Sequence, residues 1–235
     1  LAFALFVCIW AGLPGCTPSQ ERPVDLADPL IDTHKSRYDY FVSATVPFGM
    51  VALNPDTKHG NLWNSGYRYG DRYILDFSHV HNAQTAGIPV MPVTGACKGN
   101  QGLEACKSAF SHDQEKVRPG YHKVFLEDYG ITAELTATCR VGMHRYTFPK
   151  ADEGHILFDL TAPLGPTSMS YAWARKTGDS EIEGYSVMSP TGRREKPFVA
   201  YFVACFDKPF DTFSGWKDGR MTDTPSDLIE GDSCG

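Results

Sequence analysis

From residue 28 onward the chain is a series of short apolar–polar runs separated by Gly, Pro, Asn and Asp, a pattern that favours strands over helices. The clearest run is 131–138, in which every second residue is apolar. Successive side chains of a strand point to opposite faces, so this run predicts a strand with one buried face. No helical periodicity extends beyond about three turns. The chain is therefore predicted to be all-β.

The same pattern predicts an antiparallel meander in the middle of the chain. Asp128, Tyr129 and Gly130 form a tight turn signal between two strand patterns, because Gly takes a positive φ at no steric cost. The run 198–206 is apolar at nearly every position, which predicts a central strand covered on both faces. A large antiparallel β-sandwich fits these strands best. The predicted strands are 121–127, 131–138, 140–148, 155–160, 170–176, 181–188 and 198–206.

Composition agrees with this fold and excludes one class of partner. Hydrophobic residues make up 42% of the chain, and 22 glycines with 16 prolines supply many turns. The net charge is −6, and no basic run or stripe is present. We therefore expect no nucleic-acid partner.

The N-terminus predicts export. Residues 1–12 are an apolar run too short to span a bilayer, and they lead directly into Leu13, Pro14, Gly15 and Cys16. This pattern is typical of a bacterial lipoprotein signal whose cysteine is acylated; the alternative is an ordinary secretory signal. We expect Cys16 to anchor the protein to a bacterial membrane, in the periplasm or at the cell surface. The predicted parts are a signal peptide at 1–15 with its start missing, a tether at 16–27, and a β-sandwich at 28–235 truncated at its C-terminal end.

An exported protein can hold disulfides, so the cysteines divide into two groups. Cys97 and Cys106 flank a Gly-containing loop, and a bridge between them would stabilise the fold by about 3 kcal/mol. Cys139 and Cys205 lie in apolar strand patterns and are predicted to be buried thiols.

A sugar-binding surface is predicted from the stretch 43–81, which combines aromatic rings with short polar groups. Trp63 lies in a Gly/Asn-rich loop, a position that favours a stacking role over a core role. Asp56 is either a carboxylate of that site or a residue that caps a turn.

His79 and His81 are two residues apart, so on a strand both rings would face the same side. They could ligate a metal, form hydrogen bonds beneath a sugar, or be two satisfied structural histidines. No third metal-ligating residue follows the pair at a spacing typical of a metal site. A polar role facing the substrate is therefore favoured. No pair of acidic residues stands out as the two carboxylates of a glycosidase.

Together, these segments and several downstream blocks resemble the N-terminal domain of glycoside hydrolase family 92, the bacterial exo-acting α-mannosidases known from gut Bacteroidetes. The resemblance covers nearly everything from residue 28 to residue 210. The chain departs from the family pattern at 33–40 and at 82–87, both next to the predicted pocket. The matching blocks are 28–33, 43–57, 65–69, 77–81, 91–95, 110–112, 119–121, 128–149, 155–160 and 198–210.

The resemblance implies a β-sandwich that packs on an (α/α)6-barrel catalytic domain absent from this chain. It also implies inverting hydrolysis of terminal α-mannose in glycans, dependence on calcium, and acid and base carboxylates on the barrel. This fragment is expected to be inactive alone. By position in the motifs, the residues facing the pocket would be Thr33, Asp56, Trp63, His79 and His81. No calcium ligands are assigned.

Two other readings stay open. One is a non-catalytic sugar-binding surface lipoprotein. The other is a structural β domain of a larger surface complex, in which Trp63 and the histidines merely pack.

Overall fold

The chain folds almost entirely into antiparallel strands. The computed structural model describes residues 21–34, 43–59, 66–81, 87–150, 153–161, 167–192, 194–222 and 228–231. Its strands are β1 (Ala44–Thr45), β2 (Ala52–Asp56), β3 (Tyr73–Ile74), β4 (Asp76–Ser78), β5 (Val90–Thr94), β6 (Ser108–Ala109), β7 (Lys116–Arg118), β8 (Tyr121–Leu126), β9 (Ile131–Ala137), β10 (Gly142–Thr147), β11 (Gly154–Phe158), β12 (Met169–Gly178), β13 (Glu181–Met188), β14 (Phe198–Cys205), β15 (Trp216–Lys217), β16 (Arg220–Met221) and β17 (Leu228–Gly231).

The helices in the described part of the chain are short 3₁₀ turns, at Pro23–Leu26, Gly99–Gln101, Leu103–Ala105 and His112–Gln114. None of them approaches the length and apolarity of a helix that crosses a bilayer.

The strands assemble into three main sheets. The first has the order β1-β2-β4-β5-β11, the second β10-β9-β8-β7, and the third β14-β13-β12-β17. Two small ribbons, β3-β6 and β15-β16, complete the described strands. Every pairing recorded for these strands is antiparallel, so the predicted fold class is confirmed.

The main core lies between the first and second sheets, where β1 and β2 contact β8 and β9. Leu53 and Phe77 of the first sheet and Val124 and Leu135 of the second are almost completely buried in one apolar cluster. Fully burying a side chain of this size contributes about 1.5–3 kcal/mol. The strict alternation of buried residues along β8 and β9 is therefore the packing of one sheet on another.

The predicted meander is present. Leu126 pairs with Ile131 across the turn between β8 and β9, and Gly130 has φ +64° there. The observed β8, β9 and β10 lie within the predicted ranges, each shorter by one to three residues. The alternation of apolar and polar residues, together with a glycine at the turn, was enough to locate the meander of β8, β9 and β10.

The prediction of a central strand at 198–206 is wrong. β14 is the outermost strand of the third sheet as described, and Tyr201 and Val203 are 77% and 61% exposed. The opposite face carries Ala200 into a second core, where Phe202 stacks on Phe158 with ring centroids 5.9 Å apart. A continuous apolar run does not distinguish a doubly covered strand from one whose outer face is apolar but exposed.

The predicted disulfide is also absent, because Cys97 and Cys106 are both free thiols. The intervening residues fold into two 3₁₀ turns closed by their own backbone hydrogen bonds, and Cys106 packs in the main core as a small apolar side chain. Burial raises the pKa of the Cys106 thiol to about 11, which disfavours the thiolate that disulfide exchange requires.

Cys139 and Cys205 are free as predicted, but both are exposed rather than buried. Cys139 lies in the turn between β9 and β10, and Cys205 is on the outward face at the end of β14. Cys139 is exposed because it lies in a turn, whereas Cys205 is inside β14 but shares the exposed face of Tyr201 and Val203.

A buried carboxylate links the 3₁₀ turn at His112–Gln114 to β8. Glu115 accepts hydrogen bonds from Tyr67 Oη (2.9 Å), His122 Nε2 (2.9 Å) and His112 Nδ1 (2.5 Å). Nδ1 of the His122 ring lies 2.9 Å from Ser43 Oγ, beside β1. Burial alone would raise the pKa of Glu115, but the hydrogen bonds from these donors outweigh it and lower the pKa below its ordinary value.

We predict that Glu115→Gln lowers the free energy of unfolding by about 1–3 kcal/mol at neutral pH, because it weakens a charge-assisted network in the interior. Because the folded-state pKa is lowered, the carboxylate stabilises the fold above its unfolded-state pKa, and this contribution is lost as the pH falls through the folded-state value. The difference between wild type and variant should therefore shrink in acid. Urea unfolding at neutral pH and in steps to about pH 3 measures it.

The matched control is Glu104→Gln, whose exposed carboxylate pairs with Lys107 at 2.9 Å. This change should stay within about 0.5 kcal/mol. Equal effects of the two variants would contradict the assigned role of Glu115.

Candidate functional site

Two aspartates face each other inside the first sheet. Asp56 ends β2 and pairs directly with Asp76 of β4, and both carboxylates are completely buried. Like charges placed opposite one another on neighbouring strands are destabilising, and buried charges need partners. The side chains around this pair supply the compensation.

Asp56 is held by two donors. Ser78, two residues after Asp76 on the same face of β4, donates its Oγ hydroxyl to Asp56 Oδ2. His81 Nε2 lies 2.7 Å from Asp56 Oδ1, and its Nδ1 lies 2.6 Å from the carbonyl oxygen of Ala52. A carbonyl can only accept, so Nδ1 carries a proton, and Nε2 donates to the carboxylate; the ring is therefore an imidazolium.

The electrostatics agree with this ion pair. Burial alone would lower the pKa of His81, but the charge of Asp56 raises it above its ordinary value. Burial would likewise raise the pKa of Asp56, and His81 and His59 together lower it well below its ordinary value. We therefore assign an ionised Asp56 and a protonated His81.

The second carboxylate has a less complete set of partners. His59 Nε2 lies 2.9 Å from Asp76 Oδ2 and 3.7 Å from Asp56 Oδ2. Within the described residues, neither His59 Nε2 nor either oxygen of Asp76 has a partner with hydrogen-bond geometry. Burial and the nearby Asp56 carboxylate raise the pKa of Asp76 to about 7, although His59 opposes the shift.

This polar cluster lies at the base of two segments of the chain. The backbone N–H groups of Thr57 and Lys58 donate to the carbonyl of Gly66 at 2.7 and 3.1 Å. These hydrogen bonds join the residues that flank segment 60–65. Gly66 has φ +87°, and a Cβ there would overlap the Asp56 carboxylate. His81 directly precedes segment 82–86, and His59 directly precedes segment 60–65, to which Trp63 belongs.

The structure brings only some of the predicted site residues together. Asp56 and His81 are in direct contact, and Asp56 also accepts from the Ser78 hydroxyl. Thr33 is buried elsewhere: its Oγ1 donates to the carbonyl of Leu30 at 2.8 Å. Trp63 and the lipidation candidate Cys16 lie outside the described residues.

His79 takes different partners from His81. Its Nδ1 donates to the carbonyl of Ile88 (2.8 Å), and its Nε2 lies 2.8 Å from His144 Nε2. His144 Nδ1 lies 2.7 Å from Tyr146 Oη, so a chain of hydrogen bonds runs from β10 into the first sheet. Burial lowers the pKa of His79 to about 4 and that of His144 well below its ordinary value, which makes both rings neutral. His79 and His81 thus do not share a ligand position.

Sequence reasoning missed His59, Asp76 and Ser78. One signal was available, because Asp76 is a charged residue inside the apolar run 73–77, where a buried strand is expected to hold none without a partner. The partner itself is brought in by cross-strand pairing, which the local pattern does not reveal.

The cluster does not fit the calcium ion implied by the family resemblance. Calcium takes six to eight oxygen ligands, whereas the one group of three potential metal ligands found among the described residues is Asp56, His59 and Asp76, with a nitrogen among its donors. Calcium is therefore not the ion that these three residues would bind.

Comparison with known proteins identifies the domain. A family model described as "Glycosyl hydrolase family 92 N-terminal domain" matches residues 26–234. No curated protein sequence matches the chain. The fold is similar to that of the family GH92 α-mannosidase BT3965 of Bacteroides thetaiotaomicron, with a TM-score of 0.80 and 28% identity over 92% of this chain and 31% of that one.

Two further solved structures agree. The GH92 family glycosyl hydrolase ccman5 gives a TM-score of 0.76 at 25% identity, with 90% of this chain and 30% of that chain covered. The GH92 inverting mannosidase BT2199 of Bacteroides thetaiotaomicron gives 0.76 at 20% identity over 91% and 29%, which supports the fold alone. The chain thus spans about three-tenths of the length of each. The chain belongs to glycosyl hydrolase family 92 and corresponds to its N-terminal domain.

Proposed function

We propose that this chain is the N-terminal domain of an inverting exo-α-mannosidase that removes terminal α-mannose from glycans. The observation that carries the proposal is the match of the family's N-terminal domain model to residues 26–234. Its likeness to a protein described as an α-mannosidase, at 28% identity, supports the substrate class.

In this proposal the acid and base carboxylates come from a downstream catalytic domain. Inverting hydrolysis needs one carboxylic acid to protonate the leaving oxygen and one carboxylate to activate water on the opposite face of the sugar. Asp56 and Asp76 are poor candidates for these roles, because both are completely buried and share one polar cluster.

The sandwich has a positioning role in the proposed enzyme. Asp56, His81 and Ser78 fix residues that flank segments 60–65 and 82–86, and in this proposal Trp63 stacks on the sugar. A rigid scaffold that presents functional loops is the usual arrangement in binding domains. Calcium dependence, with ligands elsewhere, and lipid anchorage at Cys16 stay predictions from the sequence.

We expect the protein extended through its downstream coding sequence to release mannose from α-linked mannobioses, and the 235-residue chain to release none. The reason is that the catalytic carboxylates are placed on the added domain. EDTA should abolish release and added Ca²⁺ should restore it. Product is measured by chromatography of free mannose.

Release by the 235-residue chain alone would contradict the placement of the carboxylates. If neither protein releases mannose but both bind it in calorimetry, the sugar-binding lipoprotein replaces the enzyme as the assignment.

We further predict that Trp63→Ala in the extended protein raises KM for an α-mannoside about 3- to 10-fold, because it removes a stacking surface worth about 1 kcal/mol. Trp173→Ala is the matched control. This tryptophan stacks on Tyr185 in the third sheet, with ring centroids 5.8 Å apart, and its loss should leave KM unchanged. An unchanged KM in a folded Trp63→Ala variant would refute the stacking role.

A further inference from the structure

The strongest feature that the proposed function leaves unexplained is the space between Asp56, His59 and Asp76. One donor atom from each side chain lies within 4.8 Å of the other two, and both carboxylates are completely buried. These three residues come from β2, from the residues that follow it and from β4, so cross-strand pairing creates the group.

The negative charges of Asp56 and Asp76 are stabilised to different extents by their neighbours. Asp56 already accepts from Ser78 and His81, and the latter supplies a full positive charge. Asp76 has no such donors: among the residues that the structure describes, no hydrogen bond reaches either of its carboxylate oxygens. A buried carboxylate that accepts no hydrogen bond is costly unless a cation lies beside it, and here His59 Nε2 is 2.9 Å from Asp76 Oδ2.

His59 points its unused nitrogen at the same space. Its Nε2 lies 2.9 Å from Asp76 Oδ2 and 3.7 Å from Asp56 Oδ2, without the alignment of a hydrogen bond to either, as far as the described chain extends. A ring nitrogen within ion-pair distance of two buried carboxylates, without hydrogen-bond alignment to either, is an arrangement also found among metal ligands.

We propose that Asp56, His59 and Asp76 form a binding site for a divalent transition-metal ion of the zinc type. One imidazole with two carboxylates is a donor set that zinc accepts, whereas calcium avoids nitrogen ligands. Ligands about 2.0–2.2 Å from a tetrahedral ion lie roughly 3.3–3.6 Å from each other, and the separations of 2.9 and 3.7 Å from His59 Nε2 to the two carboxylates fall on either side of that range.

The surroundings suit such a site. Ser78 and His81 orient the Asp56 carboxylate from outside, as hydrogen-bonded neighbours of metal ligands commonly do. The side chain of His59 is 17% exposed, which gives the ion a route from solvent and leaves a position for water. The ion would cross-link β2, β4 and His59, which follows β2, a structural task separate from the hydrolysis of mannosides.

The test uses the protein produced from its complete gene, stripped with EDTA and titrated with ZnCl₂ in a calorimeter. We expect one zinc ion per chain whose binding is weakened at least about 100-fold by His59→Gln or Asp76→Asn, since each removes a ligand. Ser78→Ala, which removes only a supporting hydrogen bond, should weaken binding about 10- to 100-fold. Titration with Co²⁺ gives a second readout, visible absorption bands that these variants lose.

Asp159→Asn is the matched control, because Asp159 is a buried aspartate outside the cluster that accepts from Thr161. It should leave the zinc affinity unchanged. Should Asp76→Asn fail to fold, His59→Gln keeps the test decisive because its side chain is at the edge of the cluster.

Three results would overturn the proposal. They are no zinc binding by the folded wild type, zinc binding that His59→Gln and Asp76→Asn leave intact, and equally tight binding of Ca²⁺ to the same residues. The first would make His59 and Asp76 a plain ion pair. None of the three bears on mannose release, so the site and the proposed enzyme activity fail or stand separately.

Discussion

The ion pair between Asp56 and His81 is the interaction on which the rest of this domain depends. It is completely interior, with Asp56 Oδ1 and His81 Nε2 2.7 Å apart, and Ser78 completes the bonding of the carboxylate. Removing one partner of such a pair leaves an uncompensated buried charge, which is far more damaging than losing a surface ion pair. The pair also leaves no room for a side chain at Gly66.

The two-sheet core explains how a charged cluster can be kept at that position. Apolar residues of β2 and β4 pack against β8 and β9, while polar residues of the same strands face one another at the ends. The hydrogen-bonded chain of His79, His144 and Tyr146 adds a polar link between the two sheets. Buried networks of this kind favour one arrangement of the strands, because every alternative leaves a polar group unpaired.

The pattern of apolar and turn-forming residues predicted those strands and turns that are determined by residues close together in sequence. The strands β8, β9, β10 and β13 followed from alternation, and the turn at Gly130 followed from its conformational freedom. β14 was misjudged because an apolar run reports hydrophobicity and not the neighbour that covers it. The candidate bridge between Cys97 and Cys106 could not be decided from the sequence, because loop length says nothing about the 3₁₀ turns that form inside the loop.

In the site as well, the sequence predicted individual residues but not the contacts that strand pairing creates between them. Asp56 and His81 were identified from motif position, but their direct contact was not, since 25 residues separate them. Asp76 and His59 were missed because β2–β4 pairing places Asp76 opposite Asp56, a non-local fact. The separate partners of His79 and His81 likewise come from the surrounding sheets and not from their spacing of two.

The most direct test of this account is a double-mutant cycle between Asp56→Asn and His81→Gln, read by urea unfolding in the presence of EDTA. Because each residue is the other's charged partner in the interior, the cycle should give an interaction energy of about 1–3 kcal/mol. Effects that add to within about 0.5 kcal/mol would show two independent side chains, and the central place given to this ion pair would be wrong.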